Sequence, residues 1–214
     1  MKARKLRIPI APEGWLFILP SAGIAMISAI TGWWWLAAPA SVLALAFALF
    51  FRDPERQVPH LPGAIVAPAD GKVVQVRSGI PMDFVGRAAQ VSIFLSPLDV
   101  HVNRSPIAGL ITDVGYRPGR FLPAYRAQAS DVNEQCSLSL QGEAFRVLVR
   151  QIAGILARRI VCRVRPGEKL AVGERFGMIK FGSRVDLFVP DEVRLHVNVG
   201  DRVRAGESVI GVMG

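Results

Sequence analysis

The dipeptide Gly182-Ser183 offers a reaction of the backbone itself. Glycine has no side chain, so this peptide can twist and its carbonyl carbon is open to attack. The Ser183 hydroxyl lies one residue on and can close a five-membered ring onto that carbonyl, which turns the peptide bond into an ester. Elimination would then break the chain and leave a dehydroalanine that hydrolyses to a pyruvoyl group. Glycine and serine are also a common turn pair, so the dipeptide taken alone more often marks an ordinary turn.

Several residues could assist this reaction, because a serine hydroxyl needs a base and the oxyanion needs hydrogen-bond donors. The sequence has three histidines. His60 lies among prolines and is expected to be solvated, whereas His101 and His196 lie in or beside predicted strands. Asp70 occupies an Ala-Asp-Gly turn, where aspartate also occurs for local hydrogen bonding. Each of these residues, taken alone, is more often structural than catalytic.

Charge and cysteine content exclude several classes of protein. Cys136 and Cys162 have no CxxC spacing, so we expect neither a zinc site nor a disulfide framework, and no metal. The formal net charge of +9 suits nucleic acid, an anionic membrane surface or an acidic substrate. Aromatic residues are not interleaved with the basic ones and no nucleic-acid motif is present, so we expect no nucleic-acid partner.

The elements that must position these residues are mainly strands. Short β-like runs separated by glycine and proline predict a compact barrel-sandwich-like β domain with little helix over residues 57–214. The predicted strands are 64–66, 72–76, 91–95, 145–152, 160–164 and 184–189. Residues 119–133 form the weakest β stretch and are predicted as a loop or short helix.

One internal repeat relates residues 167–174 to residues 200–207, and each copy is predicted as a compact β hairpin between two glycine turns. Similar hairpins occur in lipoyl and biotinyl carriers, which permits a second hypothesis, a membrane-tethered carrier module. A carrier needs a modifiable lysine at a hairpin tip. Lys180 lies near Met178, but Phe-Gly-Ser follows it rather than a matching tip.

The amino terminus is predicted to be a membrane anchor. From Gly14 to Phe51 no residue is charged, a run about twice the length of one spanning helix. Thr31-Gly32 divides it, which predicts an apolar helical hairpin that either spans or lies shallow. Basic residues flank both ends, so both ends are expected on the cytoplasmic side. We therefore predict residues 1–56 as anchor and linker, with residues 14–51 in the membrane; the run is too long for a cleaved signal peptide.

Three segments occur together in order, namely residues 67–73, 96–106 and 177–186. With them, the chain resembles the phosphatidylserine decarboxylases of the short bacterial type over residues 52–214. A stretch that includes Phe121 and the pair 133–134 is also similar. The block around Gly182-Ser183 is the most specific part of the resemblance.

The resemblance implies cleavage between Gly182 and Ser183. Residues 1–182 would form a β chain and residues 183–214 an α chain, held together as a heterodimer. Ser183 would become a covalent pyruvoyl group, the cofactor, with no metal. That group would form a Schiff base with phosphatidylserine and yield phosphatidylethanolamine and carbon dioxide, a step of phospholipid biosynthesis. The expected location is the cytoplasmic face of the bacterial cell membrane.

The resemblance also assigns roles to the candidate residues. Asp70 matches the aspartate of the self-processing relay. Residues 99–101 keep the first histidine of an Asp-aromatic-His-x-x-His pattern, but Arg104 stands in place of the second. We therefore expect His101 to be the acid/base of decarboxylation, and either His101 or His196 to be the self-cleavage base. Arg104 is a candidate for binding the lipid phosphate or carboxylate, with a surface arginine as the alternative.

Overall fold

A computed structural model describes residues 9–126, 128–155, 160–180 and 182–214. The chain divides into two compact units, Met1–Glu55 and Arg56–Gly214. The division lies one residue before the predicted end of the linker, so that Arg56 belongs to the second unit. The predicted fold class is confirmed, since the chain is mainly β with an amino-terminal pair of apolar helices.

The first unit is a helix pair. A 3₁₀ turn, Pro12–Gly14, leads into α1 (Trp15–Ile30), and α2 (Trp34–Phe50) follows the turn at residues 31–33. The segment Pro12–Ile30 is long and apolar enough to cross a membrane, whereas α2 is shorter. The tryptophans 33–35 and several leucines of both helices are exposed. Exposed apolar side chains at this density are typical of helices that contact lipid.

The second unit consists of strands and one short helix. In chain order the strands are β1 (Ala64–Val66), β2 (Gly71–Met82), β3 (Gly86–Leu95), β4 (Val102–Arg104), β5 (Gly109–Arg117), β6 (Gln135–Gln141), β7 (Arg146–Ile152), β8 (Ile160–Cys162), β9 (Lys169–Leu170), β10 (Arg175–Ile179), β11 (Ser183–Pro190), β12 (Arg194–Leu195), β13 (Arg202–Val203) and β14 (Val209–Val212). The helix α3 (Ala129–Val132) lies in the stretch predicted as loop or short helix.

A curled eight-stranded sheet carries the core. Its order is β13-β2-β3-β11-β7-β6-β5-β9, and two three-stranded sheets, β1-β14-β12 and β4-β10-β8, complete the domain. Strand β11 lies between β3 and β7 and alternates between the two faces of the sheet. Val185, Leu187 and Val189 enter the hydrophobic core. The side chains of Arg184 and Asp186 therefore lie on the opposite, outer face.

The two copies of the internal repeat form the two edges of this sheet. The prediction of self-paired hairpins was wrong, because β9 pairs with β5 and β13 pairs with β2. The second glycines of the copies meet, since a Cβ at Gly206 would lie 3.5 Å from the Cα of Gly173. The turns that follow the edge strands thus draw the two edges of the curled sheet together.

Each copy also binds a proline-containing turn in the same way. The Gly206 N–H donates to the Ala67 carbonyl at 2.9 Å, and the Gly173 N–H donates to the Ser105 carbonyl at 2.8 Å. The turn that begins at Ala67 contains Asp70, which is how the repeat positions one of the candidate residues.

Candidate active site

Ser183 is the first residue of β11 and pairs with Leu95 of β3. It is fully buried, and the strand alternation places its side chain on the inner face with Val185. Among the described residues, its Oγ has no hydrogen-bond partner. A buried polar group without a partner is energetically unfavourable. Because Oγ has no described partner, no hydrogen bond to the described residues has to break before this hydroxyl reacts.

Gly182 precedes it with a φ of 57°, a left-handed conformation that favours glycine. Its carbonyl contacts Gly154, where a Cβ would overlap the Gly182 oxygen and lie 3.2 Å from the carbonyl carbon. The Cβ of Ala124 would be 3.3 Å away from the same position. Gly154 thus makes room for the carbonyl that the sequence predicted as electrophile. Phe181 of the predicted motif lies outside the described residues.

The loop 96–101 connects β3, which pairs with the strand of Ser183, to β4, which pairs with β10. It begins after Leu95, which pairs with Ser183, and it ends before Val102, which pairs with Met178. The Ile179 N–H donates to the His101 carbonyl at 3.4 Å. The loop therefore joins the strand that pairs with Ser183 to the strand that pairs with Met178, and the fold brings His101 beside the end of β10.

His101 is fully buried. Its Nδ1 lies 2.8 Å from the Asp99 carbonyl oxygen. A carbonyl oxygen can only accept, so Nδ1 carries the proton and Nε2 is the basic nitrogen of the neutral ring. The Asp99 carboxylate accepts from the Ser96 N–H at 2.8 Å and from the Ser96 hydroxyl at 2.7 Å, which fixes the loop.

Asp70 is held by a partner that the sequence interpretation missed. Arg56 Nη2 donates to its two carboxylate oxygens at 3.0 and 2.8 Å, and the Ala205 N–H donates at 2.8 Å. Burial raises the pKa of Asp70 and the charge of Asp99 adds to this effect, while the Ala205 bond and Arg56 lower it without cancelling the rise. Gly71, which follows Asp70, packs against the Phe94 carbonyl, and Lys72 pairs with Phe94, so Asp70 lies beside the end of β3 where the loop 96–101 begins.

Arg104 is buried within the domain. Its Nη1 donates to the Gly173 carbonyl at 3.0 Å, and its Cδ lies 3.2 Å from the position that a Cβ of Gly206 would take. The side chain therefore lies between the two repeat turns and helps to join them. This placement differs from the surface position that was the alternative, and the predicted contact with substrate stays a prediction.

His196 differs from this group in its exposure to solvent. It is exposed and its N–H donates to the Ile210 carbonyl at 2.8 Å in the sheet of β12 and β14. Between Ser183 and the turn that leads to His196, β11 runs for its whole length, which is about 23 Å for eight residues. The structure thus brings Ser183, His101 and Asp70 to one region of the domain and leaves His196 in solvent.

The outer face of β11 fixes the strand that begins at Ser183. The buried Arg184 Nε donates to Asp186 at 2.6 Å, and its Nη2 donates to the Ser92 hydroxyl at 2.6 Å. The Ser130 hydroxyl donates to the second Asp186 oxygen at 2.7 Å. A buried ion pair needs such additional partners to be tolerated. This network ties β11 to β3 and to α3 directly behind Ser183.

Two thiols that the sequence interpretation treated separately lie together. Cys136 and Cys162 are free cysteines joined by a hydrogen bond, which lowers the pKa of Cys162 to about 7 and, with burial, raises that of Cys136. Neither spacing nor periodicity predicted this contact. Within the described ranges there is no group of three or more His, Cys, Asp or Glu residues that could hold a metal ion.

Comparison with known proteins identifies the class of enzyme. The family model of phosphatidylserine decarboxylase matches residues 43–211. The chain is thus a decarboxylase, which confirms the predicted enzyme and disfavours the carrier hypothesis. It belongs to the phosphatidylserine decarboxylase family, as the resemblance of residues 52–214 predicted.

Individual relatives are similar over almost the whole chain. A protein of Desulfotalea psychrophila is 43% identical over 96% of this chain and 97% of its own length. One of Symbiobacterium thermophilum is 48% identical, with 94% of each chain covered. One of Geotalea uraniireducens is 38% identical over 98% of this chain and 99% of its own. Each of these relatives is named phosphatidylserine decarboxylase proenzyme.

Proposed function

We propose that this chain is a self-processing decarboxylase that converts phosphatidylserine to phosphatidylethanolamine with a pyruvoyl group made from Ser183. The observation that carries the proposal is the junction itself. A buried serine hydroxyl without a described partner follows a glycine carbonyl held in a left-handed turn. These are the two groups that an intramolecular acyl shift requires. The relatives' names, which call them proenzymes, support processing of this chain too.

The chemistry begins with a change of linkage at this junction. The Ser183 hydroxyl gives its proton to a base and attacks the Gly182 carbonyl carbon. The C–N bond breaks as the nitrogen takes up the proton, and an ester remains. Loss of the Ser183 α-proton then expels the Gly182 carboxylate and leaves a dehydroalanine. Its imine tautomer takes up water and releases ammonia, which gives the pyruvoyl group.

His101 is the base that the geometry favours for the first step. The His101 Nδ1–H donates to the Asp99 carbonyl, so Nε2 is the ring nitrogen that can accept the Ser183 proton. His196 is exposed and lies beyond the end of β11, which makes it the weaker of the two candidates. Asp70, oriented by Arg56, supplies the negative charge that stabilises a protonated His101.

The same histidine serves the decarboxylation. When formed, the pyruvoyl group supplies a ketone that takes up the serine amine of the lipid and withdraws electrons as carbon dioxide leaves. His101 then holds the proton that the product carbon requires. His101 is the histidine that the sequence interpretation favoured for this role, and its full burial supports a proton donor shielded from bulk water.

Cleavage leaves the two chains interleaved. The α chain, residues 183–214, would contain β11, which pairs with β3 on one side and β7 on the other. It would also contain β14, which pairs with β1 of the β chain. These ladders support a stable heterodimer after the cut.

In the proposed function, the helix pair anchors the enzyme in the membrane. Its lipid substrate cannot leave a bilayer without exposing two acyl chains to water, so a membrane-bound enzyme has access that a dissolved one lacks. Basic residues flank the apolar run at both ends. The positive-inside rule then places the second unit at the cytoplasmic face of the bacterial membrane.

The decisive experiment is Ser183→Ala, with intact-mass measurement of the purified protein under denaturing conditions. Wild-type enzyme should give two chains, the smaller blocked by a ketone, and the variant should give one uncut chain without decarboxylase activity. Ser139→Ala, at a buried serine of β6, is the matched control and should be processed normally. Fully active wild-type enzyme with an uncut chain would refute the proposal.

A further inference from the structure

Two buried amides lie on the inner side of the domain and bind each other. Gln151 of β7 is 1% exposed and Asn103 of β4 is fully buried. The Gln151 Nε2 donates to Asn103 Oδ1 at 2.8 Å. Within the part of the chain that the structure describes, Asn103 Nδ2 and Gln151 Oε1 have no hydrogen-bond partner. One amide NH2 group and one carbonyl oxygen are therefore left over, and exchanging N and O in both amides leaves the same two kinds of group.

The register of the strands places this pair beside Ser183. Gln151 pairs with Val185, the next inner-face residue of β11 after Ser183. Diagonal neighbours on one face are about 7–8 Å apart, which a glutamine side chain can bridge. Asn103 pairs with Gly177, and a Cβ at Gly177 would lie 3.0 Å from Gln151 Nε2. The amides thus occupy the space between β10 and the start of β11.

The unsatisfied atoms complement one another. A serine hydroxyl donates one hydrogen bond and accepts others, and Ser183 Oγ is buried without a described partner. Asn103, in the sheet of β4, β10 and β8, offers a donor, and Gln151, on the inner face of the eight-stranded sheet, offers an acceptor. Buried polar groups are normally satisfied by protein or by internal water, so a common hydrogen-bonded arrangement of the three is expected.

We propose that the Asn103–Gln151 pair positions the Ser183 hydroxyl for attack on the Gly182 carbonyl, directly or through one internal water. The proposal rests on the self-processing reaction proposed above. Both amides are positioning residues, since the proton goes to His101. Their task ends when Ser183 loses its hydroxyl, so they govern the rate of chain scission and not the turnover of the finished enzyme.

The test uses Gln151→Met in the full-length chain, because methionine keeps the length and volume of glutamine without its polar atoms. The first-order rate of scission of newly made protein should fall about 10- to 100-fold, as expected for a misplaced nucleophile. Decarboxylase activity per mole of pyruvoyl group, titrated with a hydrazide, should equal that of wild type. Hydroxylamine should trap no additional ester at Gly182, because the block precedes ester formation.

Gln135→Met is the matched control. Gln135 is also a buried glutamine of the same sheet, but its Nε2 donates to the carbonyls of Ser130 and Asn133. This variant loses hydrogen bonds of the same kind without a link to Ser183. It should be cut at the wild-type rate, which separates positioning from a general loss of stability.

A second variant, Gln151→Glu, keeps the test decisive if Gln151→Met does not fold. A neutral carboxyl group retains the acceptor oxygen and replaces the N–H towards Asn103 with an O–H. Its scission rate relative to wild type should be near one at low pH and should fall as the carboxyl ionises. A ratio that does not change with pH would contradict the proposal.

Two further results would overturn it. Normal scission of Gln151→Met with reduced activity per pyruvoyl group would show that the pair acts on the lipid substrate and not on scission. Equal slowing by Gln135→Met would show a structural effect. If wild-type protein itself is never cut, the proposed function fails, whatever these variants do.

Discussion

The Gly182 carbonyl contacts Gly154, and a side chain at Gly154 would occupy the place of the carbonyl oxygen. We expect Gly154→Ala to displace this carbonyl from the approach of the Ser183 hydroxyl. Scission should slow by about 10- to 100-fold, measured as the fraction of uncut chain over time. Gly115→Ala is the control, because a Cβ in that strand meets only an Asp113 carboxylate oxygen, at 3.6 Å. Rapid cutting of Gly154→Ala would show that the contact is not required.

The two candidate histidines should behave differently on substitution. His101→Ala removes the buried ring at the loop beside Ser183, so self-cleavage should slow by about 100-fold or more. His196→Ala changes an exposed residue on another sheet and should leave cleavage and decarboxylation near wild type. Denaturing electrophoresis of both variants during expression measures the difference. An uncut His196→Ala chain would reverse the assignment of the base.

Arg56 should tune the pH dependence of processing through Asp70. Arg56 lowers the pKa of this carboxyl against the rise due to burial, so Arg56→Gln should raise the pKa further. At a given acidic pH a larger fraction of Asp70 is then protonated and cannot stabilise a positively charged His101. The acid limb of the scission rate should move to higher pH. Arg87→Gln, which breaks an exposed ion pair with Asp191, should leave the profile unchanged.

The thiol pair predicts selective alkylation. The pKa of Cys162 is lowered to about 7, chiefly by the hydrogen bond from Cys136, so its thiolate predominates above neutral pH. Iodoacetamide labelling should therefore rise through pH 7 at Cys162, while the buried Cys136, with its raised pKa, reacts slowly. Removal of the hydrogen bond in Cys136→Ala should shift the midpoint of Cys162 labelling to higher pH. Peptide mass spectrometry across a pH series measures both sites, and an unchanged midpoint would contradict the effect of the bond.

Local patterns predicted much of the fold. Apolar runs between glycine and proline located β1, β3, β7 and β11, and Thr31-Gly32 located the turn of the helix pair. Strands β5 and β6 were not predicted, because Asp113 and the glutamine and serine residues of β6 weaken the apolar signal. The repeat copies were read as hairpins because a two-residue strand carries no information about which distant strand it joins.

The site was predictable where its chemistry lies in adjacent residues. Gly182-Ser183 could be predicted as the junction because the two groups that an acyl shift needs are neighbours in sequence. In the sequence, Arg56 is one of the basic residues that follow the apolar run. Its pairing with Asp70 arises only from folding. The same holds for Gln151 and Asn103, since a lone glutamine or asparagine in a strand has no pattern that marks it as buried.

The position of β11 in the middle of the eight-stranded sheet determines when the enzyme can fold. If the chain is cut as proposed, the sheet has to assemble while the peptide is continuous, because the cut removes the covalent connection that precedes this central strand. Denaturation of the mature enzyme would release the short chain, and renaturation would become a second-order encounter between two fragments. The proposed cleavage would therefore allow each molecule to fold as a single chain only once.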